Sequence, residues 1–307
     1  MKEIEIKGII PAAVLPMTAE YEPDYDAFAH YLEWLISENA VALAVNMDTG
    51  EGPQLKPAER RRALEVAVGV AKGHCGVVAG VMGTTTMDAV ENARMAHQAG
   101  ADALVVFPNA AFRNEPLDWR IPYNYHHAIA KESGLPIILF QLAPVFGGVN
   151  YTRETLLRLL EIPEVIGIKE ASFDPRYFAY TRQTLNLADR SIILLTGNDR
   201  FITESFLLGA EGALLGFCAV GCRLVAEMLA AFQQENFKAA VAMRYRVQGL
   251  ADLIYQDPVL DYRARCKAAL SILGIIDRDR TFVRPPLLPV SDKEFILIAD
   301  ALRTAGM

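Results

Sequence analysis

The chain has 307 residues, 52% of them hydrophobic and 22% charged, with a formal net charge of −7. That composition describes a folded chain with a large core and excludes a disordered one. The acidic balance argues against nucleic acid or an anionic membrane surface as a partner. No apolar run reaches the roughly 18 residues that a membrane-spanning helix needs. The N-terminal run, residues 1–7, alternates charged and apolar side chains and lacks the apolar centre of a signal peptide. Cys75, Cys218, Cys222 and Cys266 form no CxxC pair, so free thiols in a reducing cytoplasm are expected, with no disulfide framework and no structural zinc.

Taken in chain order, short apolar runs of β type recur at residues 9–14, 41–47, 77–81, 103–107, 137–140, 165–169, 192–195 and 213–215. Stretches with helical periodicity separate them, the first running through Phe28, Tyr31, Leu32 and Leu35. Helix-start signals fall where the alternation requires them: Asp24, Lys56-Pro57, Thr86 as a cap, and Thr152. Near-continuous apolar strands between helices imply a parallel sheet covered on its outer face. Eight such units predict closure into a (β/α)8 barrel, and the doubly wound alternative lacks a GxGxxG after the first strand. Beyond residue 222 the pattern turns helical, at residues 224–237, 238–255, 262–273 and 291–304. The expected organisation is an α/β barrel over residues 1–222 with a C-terminal helical region over residues 223–307. The basic cluster Arg60-Arg61-Arg62 reads as a solvated helix face.

In a barrel of this kind the chemistry gathers at the C-terminal ends of the strands. Lys169 ends the apolar run Val165-Ile166-Gly167-Ile168-Lys169. Strict alternation places it on one face with Val165 and Gly167, with Gly167 leaving space below its stem. An ammonium in such a recess is poorly solvated, so its pKa falls and a free amine becomes available for Schiff-base formation. The competing reading is a strand-end lysine that reaches out to solvent. The second strand ends in Asp48-Thr49-Gly50-Glu51, either a plain turn or a cradle of backbone N–H groups and a hydroxyl for a carboxylate. The fifth ends in Phe140-Gln141, and the seventh leads into Gly197-Asn198-Asp199.

These segments resemble the dihydrodipicolinate synthase / N-acetylneuraminate lyase superfamily of pyruvate-dependent class I aldolases. The resemblance rests on residues 11–16, on Thr49-Gly50-Glu51, Ala79-Gly80-Val81 and residues 100–103, and on residues 135–139, 166–172, Gly197 and residues 209–213. It implies Lys169 as the Schiff-base lysine, with Thr49, Gly50 and the amides around Asp48 holding the carboxylate of pyruvate or another 2-oxo acid. It also implies that the Leu214 carbonyl region lines the pocket, and that Asp199 occupies a position used by sugar-acid lyases to bind hydroxyls. A homo-oligomer, a tetramer of tight dimers, follows from the same likeness. No cofactor and no metal is expected, and no cluster of His, Asp and Glu at the strand ends supports a metal-dependent aldolase.

The chain departs from that pattern at the proton relay. Phe140 stands where the family has a tyrosine, no tyrosine follows Pro108, and Asp48 replaces a hydroxyl residue. The arginine that synthase-type members carry after the fifth strand is absent as well. Lysine-biosynthetic synthase activity is therefore not expected. Asp48 is either a replacement acid/base with a pKa raised by burial, or a loop cap. Gln141 either orients a water or substrate hydroxyl or satisfies backbone groups, and Arg113 is a candidate for a distal carboxylate or a surface residue. The leading function is a Schiff-base lyase or aldolase working through Lys169. The alternatives are a dehydratase of 2-keto-deoxy sugar acids and a barrel that binds a 2-oxo or sugar acid without turnover.

Overall fold

The computed structural model describes residues 4–113 and 115–307, so residues 1–3 of the alternating N-terminal run lie outside the described part. Eight parallel strands form one sheet: β1 (Ile9–Pro11), β2 (Ala42–Val45), β3 (Gly76–Val81), β4 (Ala103–Val106), β5 (Ile137–Leu142), β6 (Val165–Ala171), β7 (Ile193–Thr196) and β8 (Gly212–Leu215). Each strand pairs with its sequence neighbour, and β8 returns to β1 with Ile10 opposite Leu214. The last gap closes between β1 and β2, where Val41 N–H donates to Ile9 O and Ala13 N–H to Ala44 O, both at 2.9 Å. The result is a closed (β/α)8 barrel.

Helices α1 (Tyr25–Ser37), α2 (Pro57–Ala71), α3 (Thr86–Gln98), α4 (Arg120–Ser133), α5 (Arg153–Leu160), α6 (Pro175–Leu185), α7 (Ile202–Leu207) and α8 (Cys218–Gln233) follow the strands in turn. Asp24 caps α1 and Thr152 caps α5 by accepting backbone N–H bonds. On α3 the cap is one residue earlier than expected. Thr85 Oγ1 accepts from Asp88 N–H at 3.1 Å while the Asp88 carboxylate accepts from Thr85 N–H at 2.9 Å, so Thr86 is already helical. That reciprocal pair satisfies two otherwise orphaned donors, which a lone hydroxyl at Thr86 would not do.

Strand side chains divide between two apolar layers. Ile10, Ala44, Val105, Ile138 and Leu214 fill the barrel interior, while Ile9, Leu43, Leu104, Leu139 and Leu194 pack outward against the helices. Alternation fails at one place. The β5–β6 register shifts so that Ile137 faces Val165 but Ile138 faces Gly167, leaving Ile166 as the extra residue of a bulge. Val165 and Ile168 therefore both pack outward, and Ile166 packs against the interior. The expectation of strict alternation along this strand is corrected accordingly.

Three more helices follow, α9 (Phe237–Ile254), α10 (Tyr262–Ile272) and α11 (Asp292–Thr304). Residue 222 lies within α8, beside a break in its helical geometry at Gly221. The helix α10 docks beside the loop after β2 through a buried ion pair, Lys267 Nζ to Glu51 Oε1 at 2.6 Å. Lys267 also donates to Phe282 O at 2.7 Å, and Glu51 accepts from Arg284 N–H at 2.8 Å. No helix among the described residues is long and apolar enough to cross a membrane.

Candidate active site

A cavity of about 790 Å³ opens at the C-terminal ends of the strands. Lys169 enters it from β6, and Phe140 lines it from β5. Lys169 is 8% exposed, and its Nζ lies 4.1 Å from the centroid of the Phe140 ring, a cation–π distance. Burial pulls the Lys169 pKa down to about 8, against the opposing pull of the Asp199 and Asp48 charges. The space for the lysine stem comes from β7 rather than from Gly167. A Cβ on Gly197 would stand 2.8 Å from Lys169 Cε, whereas a Cβ on Gly167 would meet Ile193 O and Ile6 Cδ1 in the lower barrel. Gly167 still shares the inward face with Lys169, but the space beside it is closed by Ile6 and Ile193; the bulge at Ile166 removes only Val165 from that face.

The loop after β2 turns through a short 3₁₀ segment, Asp48–Gly50. Thr49 is buried and lines the cavity, and its hydroxyl lies 3.4 Å from the Tyr262 hydroxyl. Gly50 does not reach the cavity. Its Cα faces Ala13 O, which would be 2.7 Å from any Cβ, so glycine is required for the turn to pass that close to the first strand. Asp48 lines the cavity and lies beside Arg263, with Arg263 Nη2 3.5 Å from Asp48 Oδ1 and Arg263 Nε donating to Asp48 O at 2.6 Å. The carboxylate thus has a cation for a neighbour.

Asp199 is 4% exposed and lines the same cavity. Burial raises its pKa to about 6, moderated by the Phe217 N–H that donates to it at 2.8 Å, by the Lys169 charge and by the Tyr255 phenol. A carboxyl in that range changes protonation near neutrality, which suits proton transfer. Leu214 lies below the cavity in the barrel interior, and the lining position on that strand end is Gly216. A Cβ there would sit 1.9 Å from the Tyr255 hydroxyl, so the absence of a side chain admits the tyrosine.

Gln141 points the other way. Its neighbour Phe140 faces inward, so alternation turns Gln141 outward into the layer between β5, β6 and α6. There Gln141 Nε2 donates to Glu170 Oε1 at 3.1 Å and Thr181 Oγ1 at 3.0 Å, and its Oε1 accepts from Tyr151 N–H at 3.0 Å. Asn198 donates to the other Glu170 oxygen at 2.7 Å. The amide is fully used, and of the two readings of Gln141 the satisfaction of buried partners is the one observed. Arg113 is exposed and does not line the cavity.

The lining residues that were not anticipated include two tyrosines and an arginine from the C-terminal region. Tyr255 follows α9, Tyr262 opens α10, and Arg263 comes next in the chain. The two rings stack with centroids 4.7 Å apart. Burial raises both phenol pKa values, so each is a neutral donor and acceptor at neutral pH. No local pattern marks them, since both read as helix-terminal aromatics; the Asp257-Pro258 step between the helices is the one cue that the chain turns there. Among the described residues no group of three or more His, Cys, Asp or Glu is placed to hold a metal ion.

The family model described as the dihydrodipicolinate synthetase family matches residues 5–305. A 4-hydroxy-tetrahydrodipicolinate synthase of Nitrobacter hamburgensis is 31% identical over 306 residues, covering 99% of this chain and 98% of that protein. Another protein of that name, from Gluconacetobacter diazotrophicus, is 26% identical over 307 residues, covering 100% of this chain and 99% of its own length. Among solved structures, a prophage protein from E. coli K12 of the dihydrodipicolinic acid synthase family, in complex with pyruvate, superposes with a TM-score of 0.88 at 23% identity, covering 98% of this chain and 99% of that one. The fold, the strand-end lysine and the full-length match agree: the chain belongs to the dihydrodipicolinate synthetase family.

Proposed function

We propose that this protein is a Schiff-base lyase or aldolase that activates a 2-oxo acid through Lys169. The observation that carries the reading is the buried amine at the end of β6, held to a pKa of about 8 inside a cavity that also contains Thr49 and Asp199. A pKa near 8 leaves roughly a tenth of the amine unprotonated at pH 7, compared with less than about a thousandth for an ordinary lysine. The 2-oxo acid's carboxylate would rest against the Thr49 hydroxyl and the turn amides of Asp48 and Thr49, which points its C2 carbonyl toward Nζ. Support for a three-carbon head group comes from the pyruvate bound in the E. coli relative.

The chemistry balances without an oxidant. Nζ adds to C2, the carbinolamine loses water to give the protonated imine, and a base removes a C3 proton to leave an enamine. The enamine carbon attacks an aldehyde, the new alkoxide takes up a proton, and water hydrolyses the imine to free Lys169; cleavage is the reverse. Asp199, buried with a pKa of about 6, is the base that fits the C3 proton. The Tyr262 hydroxyl, in reach of Thr49, is the donor that fits the alkoxide, a role the resemblance would give to a tyrosine at Phe140. Asp48, beside Arg263, retains a place as an alternative acid/base. In this reading the altered relay and the missing arginine after β5 separate the chain's reaction from lysine-biosynthetic synthesis, and a homotetramer belongs to the same reading.

Borohydride reduction in the presence of pyruvate tests it. A three-carbon reduced adduct on the Lys169 peptide, absent in Lys169→Ala, is the expected result. An adduct confined to surface lysines such as Lys131, or none at all, overturns it.

A further inference from the structure

The two ends of the cavity differ in chemistry. Its polar groups, Lys169, Thr49, Asp199, Tyr255 and Tyr262, gather around the amine. The rest of the lining is largely hydrocarbon: Leu142 at the end of β5, Val145, Phe146 and Phe173 after β5 and β6, and Leu260 and Leu287 from the C-terminal region, with Asp257 and Asp261 beside them. Several of these are large apolar side chains left open to water, with Val145 83%, Leu260 52% and Phe146 38% exposed. Apolar side chains lining a cavity gain by covering apolar surface brought in by a ligand.

The backbone holds one of them at a cost. Phe173 has φ of 57°, the left-handed region that bulky residues avoid. It is kept there by a hydrogen bond from its N–H to Asn198 Oδ1 at 2.8 Å, within the buried network behind the strand. In that conformation its ring packs edge-on against Phe146, with centroids 5.3 Å apart. Backbone strain of this kind persists where the surroundings over-determine a functional arrangement.

Charge points the same way. Four carboxylates line the cavity (Asp48, Asp199, Asp257 and Asp261) against two cations, Lys169 and Arg263. The first cation is the reacting amine, and the second is committed to the Asp48 side chain and carbonyl. A substrate bearing a second carboxylate finds no uncommitted cation among the described lining residues, and the Asp257 and Asp261 charges already engage Arg200 and Arg265. A polyol tail would set most of its hydroxyls against hydrocarbon, with the already paired Asp257 and Asp261 as the acceptors there.

We propose that the substrate of this site is a 2-oxo acid whose tail beyond C3 is uncharged and apolar, an aryl or branched alkyl group. In the synthetic direction the partner of pyruvate is the matching aldehyde, and the new C–C bond joins pyruvate C3 to the aldehyde carbon while the carbonyl oxygen becomes the hydroxyl. The proposal rests on the Schiff-base reading and assigns its substrate class.

The test is a competition that needs no turnover. The protein is reduced with borohydride in an equimolar mixture of 2-oxo-4-phenylbutanoate, 2-oxoglutarate and 2-oxo-3-deoxygluconate, and the adducts on the Lys169 peptide are counted by mass spectrometry. Each count is divided by that acid's adduct yield on N-acetyl-lysine, which removes intrinsic carbonyl reactivity. The expected result is a preference of tenfold or more for the phenyl acid, falling at least fivefold in Phe146→Asp and turning toward 2-oxoglutarate in Leu260→Arg. Equal yields, a preference for either polar acid, or trapping of pyruvate with none of the three overturns the proposal. Pyruvate run alone separates the failures, since its absence from Lys169 sinks the Schiff-base reading itself.

Discussion

Lys267 and Glu51 form an ion pair at 2.6 Å with both side chains almost wholly out of water, and that pair joins the helix carrying Tyr262 to the turn carrying Thr49. The C-terminal helices are therefore part of the site. Breaking a buried pair by removing one partner leaves an uncompensated charge, at a cost of about 3–5 kcal/mol. Lys267→Met should lower the unfolding free energy by that amount in urea titration, and Glu51→Gln added to it should recover part of the loss. A change within about 1 kcal/mol would mean that the pair is dispensable and that apolar packing seats α10.

The depressed lysine pKa sets a pH dependence. The reactive form is the free amine, so pyruvate trapping should slow as pH falls below about 8. Between pH 8 and pH 6 the amine fraction drops from about one half to about one hundredth, so the initial trapping rate should fall roughly fifty-fold. A profile that keeps rising to pH 10 would show that the amine is not desolvated.

Gly197 tests the geometry around that amine. A methyl there would stand 2.8 Å from Lys169 Cε and 2.9 Å from Ala171 Cβ. Because the lysine's far end is flexible, the fold should survive Gly197→Ala while Nζ is displaced. The expected outcome is at least a tenfold loss of trapping with a circular dichroism spectrum like that of the parent.

The proton path separates three candidates. With a substrate that turns over, Asp199→Asn and Tyr262→Phe should each lower kcat by about 10²- to 10⁴-fold, the range for a lost general acid or base. Trapping of pyruvate at Lys169 should persist in Tyr262→Phe. In the parent the rate should rise as pH passes through about 6, where Asp199 loses its proton, and that limb should vanish in Asp199→Asn. Asp48→Asn distinguishes the remaining role: a rate loss of the same size moves the base to Asp48, whereas an unchanged rate leaves it as a neighbour of Arg263.

Gln141 should behave as a structural residue. Replacing it with Leu removes donors to Glu170 and Thr181 and the acceptor for Tyr151 N–H, so stability should fall by about 1–3 kcal/mol. The KM for a 2-oxo acid should change little. A large KM effect without a stability loss would return the residue to the substrate pocket.

Much of this was legible in the chain because it is local. Each β run carries its own apolar pattern, the βα alternation sets the parallel barrel, and Lys169, Thr49 and Asp199 lie at strand ends where such a barrel places its chemistry. The opposite faces of Phe140 and Gln141 were available from alternation too, since adjacent strand residues cannot both point inward. The reversal at Ile166 was not, because a bulge is a property of pairing between two strands, and neither strand records it alone. Nor were the tyrosines: Tyr262 is 213 residues from Thr49 in the chain, and they meet through the seating of α10 by Lys267 and Glu51. Strand-end chemistry follows from short-range pattern and barrel closure, whereas the register of β6 and the capture of two helix-end phenols depend on contacts between distant segments, which no window of sequence contains.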